Sequence, residues 1–187
     1  MTPLLSLWLP ILLSAVFIFI ASSVIHMMMP WHKSDYVGVP DEPRARTAIG
    51  ALNIPPGDYL MPKPGDMKEM GTPEYKAKHD EGPVVLMTVM PNGMRPMGPI
   101  FINWFIYLVI IAVVTACITG AVLAPGDDHR SVFHYSGAIT FLAYGMALPQ
   151  TSIWYYKKWS TTLKGMFDAL IYGVITGLTF AWLWPVA

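Results

Sequence analysis

Four long apolar stretches constrain what this chain can fold into. They cover residues 4–29, 99–124, 132–148 and 163–186. Only the last contains charged side chains, Lys164 and Asp168, near its start. About 20 apolar residues in a helix span the roughly 30 Å hydrocarbon core of a bilayer, and 132–148 is the shortest of the four. Hydrocarbon offers no water to backbone polar groups, and the alternation of barrel strands is absent, so the sequence predicts an all-α membrane protein with four transmembrane helices.

Residues 30–98, about 69 residues between helices 1 and 2, are instead rich in Pro, Gly, Asp, Glu and Lys. We therefore divide the chain into transmembrane helix 1 at 1–29, an extramembrane arm at 30–98, and transmembrane helices 2–4 at 99–187. Residues 84–90 predict a strand that the following Pro-Asn-Gly turn stops.

The same arm contains the signals of two short helices. Asp41 can cap a helix that runs through Leu52, and Thr72 with Pro73 can start another that Gly82 ends. One strand and two small helices bury too little apolar area to be stable alone. We therefore expect the arm to need a partner surface.

Positive charge predicts the orientation in the membrane. Four crossings put the arm and the loop near 150–163 on one side, and most Lys and Arg residues near the membrane lie there: Lys33, Arg44, Arg46, Arg95, Lys157, Lys158 and Lys164. The other side offers only Arg130. The positive-inside rule then predicts a multi-pass protein of the bacterial inner membrane with periplasmic termini and a cytoplasmic arm.

The first stretch lacks a basic n-region and is too long for a signal peptide, so it should remain as an anchor.

Two patterns predict how the helices are held. Tryptophans near the ends of the stretches suit an interfacial belt: Trp8, Trp31, Trp154, Trp159, Trp182 and Trp184. Small residues recur every four positions on two stretches and predict close helix packing: Ala112, Ala116 and Gly120, and Ala169, Gly173 and Gly177. The two stripes can pack against each other or one can dock on another subunit, and we favour mutual packing.

His26 is the candidate cofactor ligand, because an imidazole inside a membrane is a site hypothesis by default. It can ligate a haem or a chlorophyll-type pigment, bind copper together with Met27 to Met29, or simply form a hydrogen bond with Ser22 or with the backbone of a partner. His134 lies at the start of the third stretch, near the opposite membrane surface from His26, so the two histidines cannot share one haem. Asp168 follows Lys164 by four positions, which predicts an ion pair along one helix face.

Composition and the absence of known motifs argue against several classes of function. Lys plus Arg and Asp plus Glu balance at 12 each, so no basic excess indicates nucleic acid. The single cysteine, Cys117, excludes an internal disulfide and any multi-cysteine metal site in one chain. Phosphate loops, His-Glu-x-x-His and nucleophile elbows are missing, so we expect no enzyme and no small-molecule substrate.

Four short sequence segments carry a resemblance to other proteins. They are Pro-Trp-His-Lys-Ser-Asp-Tyr at 30–36, Ile-Pro-Pro-Gly-Asp-Tyr at 54–59, Val-Met-Pro-Asn-Gly at 89–93 and Ser-Ile-Trp-Tyr at 152–155. With them the chain resembles, over nearly its full length, a family of small bacterial inner-membrane proteins of no known activity. The resemblance implies a bacterial source and a membrane location, and it assigns no functional residue.

The expected function is that of a non-catalytic structural or accessory subunit in a larger bacterial membrane complex. A photosynthetic reaction-centre and antenna complex, or a respiratory complex of the electron transport chain, is the concrete expectation. Partners would be other subunits and lipid; no cofactor is required, and lipid, (bacterio)chlorophyll or carotenoid could lie at the surface. One alternative is a pigment-, haem- or copper-binding protein using His26. A third is a small channel or transporter, for which polar residues in the stretches give weak support: Ser14, Asn103, Thr115 and Thr119.

Overall fold

The computed structural model describes residues 1–186 and divides into two compact units. The first comprises residues 1–36 and the chain from Pro96 onward, and the second comprises Val37–Arg95. Seven helices and two strands follow one another: α1 (Trp8–Ser23), α2 (Glu42–Ala51), β1 (Gly57–Met61), α3 (Pro73–Glu81), β2 (Val85–Val89), α4 (Met97–Val122), α5 (His129–Gly145), α6 (Pro149–Tyr155) and α7 (Trp159–Trp182). The chain is mostly helical, at 67%.

Within residues 1–186, three helices are long and apolar enough to cross a membrane. They are Leu4–Met28, Met97–Val122 and Trp159–Trp182, with 25, 26 and 24 residues. The first consists of α1, a 3-10 turn before it (Leu4–Leu7) and a π-helical turn after it (Val24–Met28).

The prediction of four such helices is therefore wrong for the stretch 132–148. Its residues belong to α5, which starts earlier, at His129, and ends at Gly145. With 17 residues, α5 is about 25 Å long at 1.5 Å per residue, which is shorter than the hydrocarbon core. The apolar run has the same length as the helix but is displaced by three residues, because its last residues, 146–148, form the turn before Pro149.

Four helices of the first unit pack side by side. α1 contacts α4 and α7, and α5 also contacts α4 and α7, with the α5–α7 contact the most extensive. One core cluster includes Leu7, Ala116, Val132 and Phe180, and a second includes Ala15, Leu108 and Tyr172. Outward-facing residues of α4 are apolar and exposed, as a lipid-facing surface requires: Ile102, Ile106, Ile110, Val114 and Ile118.

Both stripes of small residues are buried where helices approach closely. A Cβ built on Gly173 would lie 2.8 Å from the Gly137 carbonyl oxygen of α5, and one on Gly177 would lie 2.8 Å from the Phe133 oxygen. A Cβ on Gly120 would lie 2.7 Å from the Thr2 oxygen near the N-terminus. The stripes thus have their closest neighbours on other segments, not on each other, which corrects the expectation of mutual packing.

Backbone and side-chain hydrogen bonds join both ends of the described chain to the loop after α4. The Thr2 hydroxyl donates to the Leu123 oxygen at 2.9 Å, and the Gly126 amide donates to the Pro185 oxygen at 2.8 Å. The Trp184 indole donates to the Ala124 oxygen at 2.9 Å and Trp184 is only 5% exposed. Trp184 is therefore a packing residue and not the surface anchor that we expected, whereas the other five tryptophans proposed as anchors are exposed.

The second unit holds α2, α3 and a two-stranded antiparallel sheet of β1 and β2. The sheet pairs Gly57 with Val89 and Met61 with Val85. The helices lie where the capping signals predicted them, since Asp41 accepts the Arg44 amide and Thr72 accepts the Tyr75 amide. Strand β1 was not predicted, and the small sheet means that the fold is only broadly all-α.

Candidate functional site

A polar cluster forms where the first membrane helix ends. The π-helical turn stops at Met28, Met29 is extended, and a 3-10 turn over Pro30–His32 follows, because proline cannot continue the helix. This reversal brings the rings of His26 and His32 together, with 4.3 Å between their centroids.

His32 lies between two carboxylates. Its Nδ1 is 2.6 Å from Oδ2 of Asp35, three residues further along, and its Nε2 is 2.8 Å from Oδ2 of Asp168 on α7. A lone pair on either nitrogen would repel a carboxylate oxygen at such distances. Each of the two contacts therefore needs a proton or another cation between its atoms.

Lys164 completes the cluster from the first part of α7. Its ammonium donates to Oδ1 of Asp35 at 2.9 Å and to the Ser34 hydroxyl at 2.8 Å. Burial raises the pKa of Asp35, but the hydrogen bonds from His32 and Lys164 lower it by more, so its pKa lies below the usual aspartate range. Asp35 is thus a carboxylate held in its charged form by two donors.

A cavity of about 510 Å³ lies beside the cluster. Asp168, His26 and His32 line it together with an aromatic wall of Trp104, Tyr107, Tyr144 and Tyr172. Two buried polar atoms here lack a hydrogen-bond partner within residues 1–186: Oδ1 of Asp168 and the hydroxyl of Tyr144. Buried polar atoms are normally paired, so both leave acceptor or donor capacity for a ligand or water.

A second, apolar cavity of about 350 Å³ adjoins the first. Met97, Ile100 and Phe101 line it, and it shares His26 and Trp104 with the polar cavity. The suggested bond from His26 to Ser22 is wrong, because the Ser22 hydroxyl donates to the Phe19 oxygen and accepts the Trp104 indole. His26 instead lies between the two cavities.

One other sequence expectation changes in the structure. Lys164 and Asp168 do not pair along α7, because Asp35 binds the first and His32 the second. His134 makes a hydrogen bond at 2.6 Å to the Arg130 oxygen within its own helix and lies outside the cluster. The three methionines after His26 are exposed.

Sequence reasoning identified His26 and Asp168 but not the residues that join them. We assigned His32 and Asp35 to the extramembrane arm. Both residues lie in the Pro-Trp-His-Lys-Ser-Asp-Tyr segment at its start. The His-x-x-Asp spacing in that segment was the available signal, because residues three apart meet in a turn. Nothing in the spacing shows that the turn lies against α7.

No family model, curated protein or solved structure matches this chain. What the site can do therefore follows from its own residues: it can hold a cation or a hydrogen-bonding ligand beside an aromatic wall.

Proposed function

We propose that this chain is a non-catalytic accessory subunit of a larger bacterial membrane complex and that it contacts its partner through the Val37–Arg95 unit. The observation that carries the proposal is that many apolar side chains of that unit are exposed although none of them belongs to the three membrane-length helices.

Leu60 and Leu86 define this surface. They are directly opposite each other in the two-stranded sheet and so lie on one face of it, and they are 46% and 55% exposed. Other apolar side chains of the unit are also exposed: Val37, Val39, Leu52, Met67 and Met94. A two-stranded sheet is marginally stable without something packed on it, and a cluster of exposed apolar side chains typically marks an interaction site.

The polar cluster supports the same role within the first unit. His32 and Asp35 bind side chains of α7, so the cluster fixes the segment 30–36 on that helix. The second unit begins directly after this segment, at Val37. The cluster thus gives the chain a defined exit from the membrane helix.

The proposed location is the bacterial inner membrane with the Val37–Arg95 unit on the cytoplasmic side, supported by the distribution of Lys and Arg. The proposed class of partner is a photosynthetic reaction-centre and antenna complex or a respiratory complex. The exposed apolar helix faces suit contact with lipid and with apolar pigments such as carotenoid or (bacterio)chlorophyll. The channel alternative is less favoured, because Ser14 and Thr115 are buried where helices pack.

Substitution of the two leucines tests the proposal. The double variant Leu60→Ser with Leu86→Ser should insert in the membrane normally and lose most of the partner proteins that co-purify with the wild type. Lys63→Ser, also exposed and in the same unit, is the matched control and should keep them. Equal recovery of partners with the double variant and the control would contradict docking through this face.

A further inference from the structure

We propose that His26, His32 and Asp168 form a binding site for a divalent transition-metal ion of the zinc type. One ligand atom from each lies within 4.8 Å of the other two. Imidazole nitrogen and carboxylate oxygen are the donors of zinc sites with three protein ligands and one open position. This inference goes beyond the accessory role and rests on the first unit alone.

The buried carboxylate is an independent observation that indicates a ligand. Asp168 is 4% exposed, and its Oδ1 has no hydrogen-bond partner in the described part of the chain. Burying an acceptor without a partner is unfavourable, and a charged one more so. A cation that both carboxylate oxygens of Asp168 bind would remove this cost.

The orientation of His32 also suits a metal ligand. Histidines that bind metals usually donate their other ring N–H to a carboxylate, which fixes the tautomer and the ring. Here Nδ1 contacts Asp35 at 2.6 Å, and Asp35 is itself held by Lys164. Nε2 is thereby directed at Asp168, and Asp35 is a positioning residue.

Small movements would convert the present arrangement into a metal site. With bonds of about 2.0–2.2 Å, two ligands of tetrahedral zinc lie roughly 3.3 Å apart. Nε2 of His32 and Oδ2 of Asp168 are 2.8 Å apart, so they must separate by roughly 0.5 Å as the ion replaces the proton between them. His26 must approach, and its exposed position at the end of the helix leaves it free to do so.

The donor set also selects the class of ion. Two imidazoles with one carboxylate suit zinc, cobalt or iron(II) better than calcium or magnesium, which prefer oxygen ligands alone. Copper(I) would prefer thioether ligands, whereas the three-residue set offers two imidazoles and a carboxylate. The open position would face the polar cavity, which all three residues line.

The full chain purified in detergent, stripped of metal and titrated with Co²⁺ tests the proposal. We expect one Co²⁺ per chain with the absorption bands of a four-coordinate site. We expect binding at least 100-fold weaker in His26→Ala, a substitution at an exposed position that should not disturb folding. His134→Ala, which removes a histidine outside the cluster, is the matched control and should bind as the wild type does.

Asp35→Asn is a second variant that keeps the hydrogen bond to His32 and loses the charge. It should weaken binding by 10- to 100-fold, as changes behind a metal ligand do. The proposal would be overturned by the absence of stoichiometric Co²⁺ binding to the wild type, or by equal affinity of His26→Ala and His134→Ala. Zn²⁺ should displace the bound Co²⁺ and remove the absorption bands, and failure to do so would also contradict a zinc-type site.

Discussion

His32 and Asp168 are 136 positions apart in the chain, and their side chains meet with 2.8 Å between Nε2 and Oδ2. This contact joins the segment after the first membrane helix to α7. It is the relationship on which the candidate site depends, since His26 and Asp35 reach the cluster through His32.

Replacing His32 should release this segment. His32→Ala leaves the buried Asp168 without its partner, which we expect to cost on the order of 2 kcal/mol of local stability. The Lys33 and Asp35 amides, which now donate to the Pro30 and His32 oxygens, should exchange hydrogen faster. Hydrogen exchange measured by mass spectrometry on peptides covering 30–36 checks this, with the exposed neighbour Lys33→Ala as control. Unchanged exchange in His32→Ala would show that the contacts of His32 do not hold the segment.

Gly173 should tolerate no side chain. A Cβ there would lie 2.8 Å from the Gly137 backbone oxygen, so Gly173→Ala must push α5 and α7 apart, at about 1–3 kcal/mol. A thermal melt in detergent should show a lower Tm. Gly98→Ala, where no heavy atom lies within 4 Å of the new Cβ, should leave Tm unchanged or raise it. Similar Tm values for the two variants would count against close packing of these helices.

Substitutions of the two tryptophans near the C-terminus should differ in their effect on stability. Trp184→Phe removes the indole donor from the buried contact with the Ala124 oxygen and should cost about 1 kcal/mol. Trp182→Phe alters a side chain that is exposed, so its effect should be smaller. The melting temperatures of both variants measure the difference, and a larger loss for Trp182→Phe would contradict the packing at this end of the bundle.

Asp128 should make α5 sensitive to acid. Hydrogen bonds from the Ser131 side chain and backbone hold the pKa of Asp128 below its usual range. A lowered folded pKa means that the charged cap stabilises the helix above the unfolded pKa near 4, and that this stabilisation is lost as pH falls through the folded value. Asp128→Asn keeps an acceptor without the charge. The difference in Tm between wild type and this variant should therefore shrink below about pH 4, and a constant difference would contradict the role of the charge.

The sequence predicted α2 and α3 well because the signals that start these helices are local. Asp41 and Thr72 mark two helix starts because their side chains cap the amides three residues on, and such contacts depend only on neighbouring sequence. Strand β1 could not be predicted in this way. Its sequence, Gly-Asp-Tyr-Leu-Met, has little strand character of its own, and it is a strand because β2 pairs with it from across α3.

The candidate site was predictable only in part for the same reason. His26 and Asp168 stood out because ionisable groups are rare within apolar stretches. The pairing of Lys164 with Asp168 was wrong because tertiary partners compete with a neighbour on the same helix. Once the turn at 30–36 lies on α7, Asp35 binds Lys164 and His32 binds Asp168.

The most direct test of the account is the mass of the particle that contains the wild-type chain in native membranes dissolved in a mild detergent. The account predicts a particle several times larger than the 20.8 kDa of the chain itself, and the Leu60→Ser, Leu86→Ser variant should shift most of the chain to the mass of a single copy with its detergent. A wild-type chain found alone, under conditions that keep other membrane complexes intact, would contradict the central claim that it is an accessory subunit.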